Sequence, residues 1–277
     1  MNKQAENRNL IYILSTGRTG TNFIHNILTE LVPELNITHQ TRWSRLLNIC
    51  GNLPIGKNKP RLMTFLFNTL KSESFPKSTI DPLLSLPIFF SLKNRVIYKN
   101  PKIIHLIRDP RDFVTSFMNW KNQDVKKMIL HYIVPFWQPS PFFQNSYKFS
   151  SWINFSKFEH YCWIWNYKNN LFQKLNKYQE NYILIRLEDL INPILTKTIL
   201  SHIFEFLEIP FKDYNSINSR SMPKVNKSIK GEFPKWKNWS SYEANILEKH
   251  CGSLMHQFGY GNEAEWEQIK KIKQRTY

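Results

Sequence analysis

The sequence has few cysteines and no long apolar run. Its three thiols, at Cys50, Cys162 and Cys251, are widely separated and give neither a paired framework nor a metal-ligand spacing. This scarcity excludes a disulfide scaffold and a zinc ribbon. No stretch reaches the roughly eighteen apolar residues of a transmembrane helix, and the N-terminus lacks the apolar core of a signal peptide. The sequence therefore predicts a soluble, cytoplasmic protein with reduced thiols and no bound metal.

Acidic residues are also scarce relative to basic ones. The 38 lysines and arginines outnumber the 21 aspartates and glutamates, which gives a net charge of +17. Such an excess favours an anionic partner, but nucleic acid, lipid head groups and phosphorylated small molecules all fit it. Because the basic residues are dispersed and form no long tail, nucleic acid is not the expected partner. Peripheral contact with an anionic membrane and the oligomeric state are left open by the sequence.

No internal repeat or low-complexity linker divides the chain. We therefore predict a single domain over residues 1–277, with residues 121–170 as an insertion within it. From Tyr132 to Tyr167, 14 of 36 residues are aromatic, against 15% in the whole chain. This density predicts a helical cap packed over the rest of the fold, and the same rings can form one wall of a ligand pocket.

Apolar runs and helical spacings alternate along the chain. Residues 11–14 predict a buried strand, residues 15–20 a loop of small residues, and residues 21–31 a helix with an apolar face. Further strands are predicted at residues 35–38, 78–80, 102–107 and 182–185, and helices follow at residues 110–120 and 195–207. This order predicts a three-layer α/β fold with a central parallel sheet of about five strands flanked by helices.

The first loop has the sequence STGRTGT at residues 15–21. Between a strand and a helix N-terminus, such a turn presents several backbone N–H groups and the positive end of the helix dipole to one point. Phosphate or sulfate is the natural ligand, although an ordinary tight connection is the alternative. The Walker pattern is absent, because Thr21 rather than lysine follows Gly20. Arg18 supplies the cation instead, which argues against magnesium-dependent nucleotide hydrolysis.

Two later segments add candidate anion-binding residues. Arg108 follows the predicted strand at 102–107, and Ser116 lies about two turns into the next helix, for which Asp109 is the expected N-cap. Arg108 can bind phosphate through two hydrogen bonds, or it can pair with Asp109 or Asp112. Near the C-terminus, Lys230 and Gly231 begin a flexible basic segment that also carries tryptophans.

Together these segments resemble the sulfotransferase family that uses 3′-phosphoadenosine 5′-phosphosulfate (PAPS). The resemblance extends from Ile11 to about Tyr260 and depends on five motifs in the order typical of the family. They are the loop at 18–21, IIHLIRDPRDFVTSF at 103–117, LIRLEDLINP at 184–193, the pattern K-G-x-x-x-x-W-K-N at 230–238, and LMHQFGYG at 254–261.

The resemblance implies a P-loop-like enzyme that moves a sulfuryl group from PAPS to a hydroxyl or amine. The expected acceptor is a carbohydrate, a lipid-linked alcohol or another small alcohol. The residues implied to hold the 5′-phosphosulfate are Gly17, Arg18, Thr19, Gly20, Thr21 and Asn22, and those for the 3′-phosphate are Arg108, Ser116, Lys230 and Gly231. Arg18 is also implied to stabilise charge on the leaving phosphate oxygen. No metal is implied, since in-line positioning and electrostatic stabilisation suffice.

The general base is predicted from position. Many family members carry a histidine near residues 78–82, where this sequence offers Asp81 at a strand end. His39, after the second predicted strand, is the second candidate, and a group not yet identified is the third. His105, in the middle of a strand, is expected to be a core residue, and His25 is expected to be exposed.

The sequence departs from the family at three positions. Arg18 stands where many cytosolic members have lysine, Ile229 where arginine often precedes the Lys-Gly pair, and Pro234 where glycine is common. Two other functions remain as alternatives: a nucleotide kinase with an eroded P-loop, and a non-catalytic protein that binds nucleic acid or anionic membrane.

Overall fold

A computed structural model provides the structure of the chain and describes residues 10–35, 37–39, 43–69, 78–93, 101–121, 136–144, 146, 148–152, 154–210 and 232–272. Three strands lie among them: β1 (Ile11–Ser15), β2 (Lys102–Ile107) and β3 (Tyr182–Arg186). In chain order, the helices of the N-terminal half are α1 (Thr21–Leu31), α2 (Ser44–Asn52), α3 (Lys59–Thr69), α4 (Ser85–Lys93) and α5 (Pro110–Lys121). Those that follow are α6 (Phe149–Trp152), α7 (Lys157–Gln173), α8 (Leu187–Ile191), α9 (Thr196–Leu207), α10 (Ser241–Gln257) and α11 (Ala264–Lys271).

The chain divides into two compact units. The first unit comprises residues 1–51, 55–107 and 171–225, and the second comprises residues 52–54, 108–170 and 226–277. The single domain predicted over residues 1–277 is neither confirmed nor contradicted by this division and stays a prediction. No helix in the described segments is long and apolar enough to cross a membrane.

The first unit contains a parallel sheet in the order β1-β2-β3. Ile13 lies opposite Ile104, and Ile104 lies opposite Ile183, so the three strands run in register. Two short segments extend the sheet beyond β1, since Thr79 bridges both Tyr12 and Thr38 in parallel. The order of segments across the sheet, numbered along the chain, is therefore 2-3-1-4-5. The α/β fold with a parallel sheet flanked by helices is confirmed.

The strands predicted at 35–38 and 78–80 are shorter than expected. A turn of 3-10 helix occupies Pro33–Leu35, and Thr38 is the residue that pairs with the neighbouring segment in the described part of 35–38. Four backbone hydrogen bonds nevertheless complete the ladder, for example from the Thr79 N–H to the Ile11 carbonyl and from the Ile80 N–H to the Thr38 carbonyl, at 3.0 and 3.1 Å. The five-segment width arises from single bridging residues rather than from two further full strands.

The core of the first unit lies against the sheet. Helix α1 contributes Phe23, Ile24, Ile27 and Leu28, all at most 8% exposed, to a cluster that includes strand residues such as Ile11, Ile104 and Ile185. Their spacing of three and four residues places them on one helix face. Burial of this face fixes α1 against the sheet, and with it the loop that precedes α1.

The second unit has a core dominated by aromatic rings. Phe117 of α5 contacts Phe113 and Tyr161 at ring-centroid distances of 4.7 and 5.0 Å, and Trp165 and Trp266 are fully buried. Helix α7 confirms the helix expected in the aromatic-rich stretch. These rings pack within the second unit, whereas the cap over the rest of the fold and the role as a pocket wall stay predictions.

Candidate functional site

The loop between β1 and α1 has an unusual backbone. Gly17, Arg18 and Gly20 all have positive φ angles, of 85°, 56° and 76°. Arg18 is the only one of the three with a side chain, and a left-handed conformation of this kind is strained for such a residue. Left-handed residues in a tight turn can direct backbone N–H groups toward a common point, as in anion-binding nests. Within this loop the Gly17 N–H donates to the Ser15 Oγ at 3.3 Å. The anion site expected at this loop stays a prediction.

Gly20 is required for a second reason. A Cβ atom at this position would lie 2.4 Å from Cδ1 of Leu187, the first residue of α8. Gly20 is also the N-cap of α1 and has no side chain with which to cap the helix. The N–H groups of Phe23 and Ile24 donate to the Gly20 carbonyl at 2.9 and 3.2 Å. Those of Thr21 and Asn22 have no acceptor within the helix, so they can serve an anionic ligand together with the helix dipole.

Thr19 carries an unsatisfied hydroxyl within this loop. The residue is 0% exposed, and its Oγ1 has no hydrogen-bond partner among the residues that the structure describes. A buried hydroxyl without a partner lowers stability by roughly 1–3 kcal/mol. Such an atom in a nest of backbone donors indicates a ligand that supplies the missing hydrogen bond.

Asp81 lies at the same edge of the sheet as the loop. It follows the bridging residue Thr79, and the Oγ of nearby Ser85 accepts a hydrogen bond from the Ser15 N–H at 2.9 Å. The Asp81 carboxyl is 0% exposed. Its Oδ1 accepts from the Leu83 N–H at 2.9 Å, whereas Oδ2 has no partner within the described segments. One carboxylate oxygen thus fixes the orientation of the group, and the other can accept a hydrogen bond from a ligand.

His39 lies near Asp81, as the pairing of Thr38 with Thr79 requires. Burial lowers the pKa of His39, the Asp81 carboxylate opposes this shift, and neighbouring His25 adds to it. The rings of His25 and His39 are 5.4 Å apart. His25 is half-buried, so its expected exposure is wrong, because this face of α1 packs against His39. Within the described chain, Nε2 of His39 is buried without a hydrogen-bond partner.

His105 belongs to the core of the first unit and not to the site. It is 0% exposed, its Nδ1 lies 2.7 Å from the Tyr182 hydroxyl, and its ring meets the edge of Phe172. The prediction that His105 is a packing residue is confirmed.

In the second unit, Arg108 directly precedes Asp109, the residue before α5. Its carbonyl accepts a hydrogen bond from the Trp165 indole at 2.9 Å, which ties it to α7. Ser116 lies two turns into α5 and is 5% exposed. The expected N-cap is confirmed, because Oδ1 of Asp109 accepts from the Arg111 N–H at 2.8 Å.

Arg111 forms a cluster that the sequence prediction missed. Its side chain, 1% exposed, contacts the carboxylates of both Asp109 and Glu263 through two nitrogen atoms each. Its guanidinium also lies over the rings of Trp236 and Trp266, at 4.2 and 5.2 Å. Burial would lower the pKa of Arg111, but its hydrogen bonds to Glu263 and Asp109 raise it above the usual range. The only signal in the sequence was an arginine between two aspartates, so the partner at Glu263 was not visible.

The structure thus brings Gly17–Thr21, Asp81 and His39 to one sheet edge of the first unit. Asn22 is exposed at the start of α1. Arg108 and Ser116 lie in the second unit, and Lys230 and Gly231 lie outside the described residues. The joint donor site expected from these groups stays a prediction. No group of histidine, cysteine, aspartate or glutamate suited to a metal ion occurs in the segments that the structure covers.

Comparison with known proteins identifies one family. The family described as sulfotransferase domain matches residues 8–259. No curated protein sequence matches the chain significantly.

Three solved structures are similar to the chain. A mouse sulfotransferase complexed with PAP (3′,5′-adenosine bisphosphate) is 14% identical, with a TM-score of 0.49, over 96% of this chain and 89% of that one. A sulfotransferase domain from the curacin biosynthetic pathway is 15% identical, with a TM-score of 0.44, over 94% and 95%. A sulfotransferase domain from a Synechococcus olefin synthase is 14% identical, with a TM-score of 0.40, over 98% and 92%.

Proposed function

Because the chain belongs to the sulfotransferase domain family and is a sulfotransferase enzyme, we propose that its donor is PAPS and its acceptor is a hydroxyl or an amine. The observation that carries this proposal is the loop at Gly17–Gly20, which has three positive φ angles and a buried Thr19 hydroxyl with no partner among the described residues. An anion with several acceptor oxygens satisfies both the N–H groups and the hydroxyl at once.

The 5′-phosphosulfate binds to the loop and the first turn of α1. Gly17 and Gly20 allow the backbone to approach the anion closely, and Thr19 and Thr21 donate their hydroxyls. Asn22 lies at the exposed start of α1, from which its amide reaches the same anion. The helix dipole and the backbone donors favour negative charge here without a metal ion.

Arg18 acts on the leaving group. As the sulfuryl group departs, negative charge moves onto the bridging phosphate oxygen. A fixed guanidinium in a preorganised loop stabilises this charge more in the transition state than in the ground state. The strained φ of Arg18, 56°, supports this role, because strain of this kind concentrates at functional positions.

The 3′-phosphate binds to Arg108 and Ser116, together with Lys230 and Gly231. Arginine binds phosphate through two parallel N–H donors, and Ser116 adds a hydroxyl from the next helix. This part of the proposal rests on the motif at 103–117 and on the family membership.

Asp81 takes the acceptor proton in this proposal. Its Oδ1 is anchored and its Oδ2 has no partner among the residues that the structure describes, so the group is fixed in orientation and still able to accept. His39 is the alternative base, because its lowered pKa favours the neutral imidazole that can accept a proton. Both lie at the edge that carries the donor loop.

For the acceptor, the proposal names several chemical classes. The aromatic rings of residues 136–167 favour an acceptor with an apolar face, such as a carbohydrate, a lipid-linked alcohol or a small alcohol. The cytoplasmic location expected from the sequence also stays a prediction.

The test is a binding comparison followed by a transfer assay. Thermal unfolding is followed with PAP, with ATP and Mg²⁺, and with an oligonucleotide. We expect stabilisation by PAP alone. Stabilisation by ATP and Mg²⁺ alone would favour the kinase alternative, and stabilisation by the oligonucleotide alone the non-catalytic one. A screen of hydroxyl and amine acceptors with sulfur-labelled PAPS then identifies the substrate.

A further inference from the structure

The N-terminal end of α5 is surrounded by carboxylates. Three carboxylates interact electrostatically with Arg111. Asp109 lies at the cap of α5, Asp112 lies in its first turn, and Glu263 lies 152 positions after Arg111 in the sequence. Burial, and then the charge of Asp109, raise the pKa of Asp112, whereas Arg108 lowers it. An anionic ligand would be repelled by these carboxylates unless cations neutralise them. Arg111 is the buried cation that contacts two of the three.

Arg111 is held in one position from several directions. Asp109 and Glu263 each accept two hydrogen bonds or more from its guanidinium, at 2.6–3.1 Å. Trp236 and Trp266 pack on its plane, and the Trp266 indole is itself fixed by a hydrogen bond of 2.9 Å to Glu248. The Asp109 carboxylate also caps α5. The position of the Arg111 side chain therefore affects the orientation of the first turn of this helix.

Two of these contacts come from beyond the sulfotransferase domain match. That match ends at residue 259, whereas Glu263 is the N-cap of α11 and Trp266 lies within it. A segment outside the matched region thus reaches the helix that begins one residue after Asp109. Arg108 precedes the cap, and Ser116 lies on the same helix.

From these contacts we propose that Arg111, clamped by Glu263 and Trp266, is a positioning residue for the 3′-phosphate site. It neutralises Asp109 and Glu263 and fixes the start of α5, so that Arg108 and Ser116 are oriented toward the phosphate. The C-terminal helix α11 thereby contributes to nucleotide selectivity without touching the nucleotide. This inference rests on the proposed function, because it assumes that Arg108 and Ser116 bind the 3′-phosphate.

The experiment measures how well the protein distinguishes PAP from 5′-AMP, which lacks the 3′-phosphate. The readout is the ratio of the two dissociation constants from calorimetric titration. Arg111→Lys keeps the charge but loses the planar fork that engages two carboxylates. We expect this variant to lose about tenfold or more of the ratio, since small misplacements of binding groups have effects of that size. Affinity for 5′-AMP should stay close to that of the wild type.

The matched control is Glu265→Gln in the same helix. Glu265 pairs with Lys237 at 2.6 Å, and both side chains are more than half exposed. This substitution removes the same charge two residues from Glu263 and should leave the ratio unchanged. If Arg111→Lys retains the wild-type ratio in a folded protein, or if Glu265→Gln lowers it equally, the positioning role is refuted.

Glu263→Gln decides the question if Arg111→Lys does not fold. The Glu263 side chain is 47% exposed, so the substitution should be tolerated. If the Glu263 carboxylate acts only by repelling the anionic ligand, its removal should strengthen PAP binding. If it holds Arg111 in place, its removal should weaken PAP binding. We expect a few-fold lower ratio, and an equal or higher ratio overturns the inference. A wild-type protein that does not prefer PAP, or an Arg108→Ala variant that keeps the preference, would instead overturn the proposed donor site itself.

Discussion

The loop at residues 15–20, which we call the donor loop, and the start of α5 are two regions that we propose to bind anions, and the chain builds them in different ways. The loop uses six consecutive residues, 15–20, and its character comes from backbone conformation and from one unsatisfied hydroxyl. The start of α5 depends on Arg111, whose partners Asp109 and Glu263 are 2 and 152 positions away in sequence. A local motif can thus be recognised from its residues, whereas a clamp assembled from distant segments cannot. The comparison also separates two expected effects: Arg18 in the loop should mainly control turnover, and Arg108 before α5 should mainly control affinity.

The largest effect is expected at Arg18. Arg18→Ala should lower turnover by on the order of a hundredfold or more, the range for loss of one donor to a developing oxyanion. Affinity for PAP should fall less, because PAP lacks the sulfuryl group. Arg18→Lys should retain much of the activity, since it keeps a point charge. Near-native turnover of Arg18→Ala at saturating donor would show that Arg18 only binds.

Asp81 provides the next test within the first unit. Asp81→Asn keeps the shape and removes the basic oxygen, and it should lower turnover by about a hundredfold, in the lower range for general base catalysis. PAP affinity should be unchanged. His39→Gln serves as the comparison and should have the smaller effect. If His39→Gln instead has the larger effect in the same transfer assay, the base is His39.

Arg108, in the second unit, tests the proposed effect on affinity. Arg108→Ala should weaken PAP binding by about 1.5–3 kcal/mol, as expected for a charge-assisted contact. Turnover at saturating PAPS should change much less than in Arg18→Ala. Calorimetric titration with PAP measures the effect, and an unchanged dissociation constant would assign Arg108 to a structural ion pair.

The smallest effect is expected at Thr19, and its sign is informative. Thr19→Val removes a buried hydroxyl that has no partner in the described part of the chain. The free energy of unfolding of the ligand-free protein should therefore stay equal or rise by about 1 kcal/mol. Affinity for PAPS should fall by a similar amount.

The matched control for this substitution is Thr196→Val. Thr196 is also buried, but its hydroxyl donates to the Asn192 carbonyl at 2.6 Å. That variant should lose about 1 kcal/mol of stability and bind PAPS normally. A loss of stability in Thr19→Val would mean that its hydroxyl has a partner in the folded chain, and the argument from the unsatisfied atom would fail.

Much of the fold was predictable from the sequence, because its strands and helices carry clear apolar periodicities. The predicted strand at 102–107 matches β2 residue for residue, and the helix at 21–31 matches α1. The short strands at 35–38 and 78–80 were less predictable. Their pairing consists of bridges at Thr38 and Thr79, which depend on the neighbouring chain more than on their own residues.

The sequence by itself determined the donor loop, since glycine spacing, a small-residue turn and the following helix specify the backbone locally. Only the tertiary structure decided that buried polar atoms of Thr19, Asp81 and His39 lack partners among the described residues, because a hydrogen bond depends on every neighbour of the group. It also decided that Arg111 binds both carboxylate oxygens of Asp109. Charge pairing between segments 152 positions apart has no periodicity in the sequence, so it becomes visible only when the chain has folded.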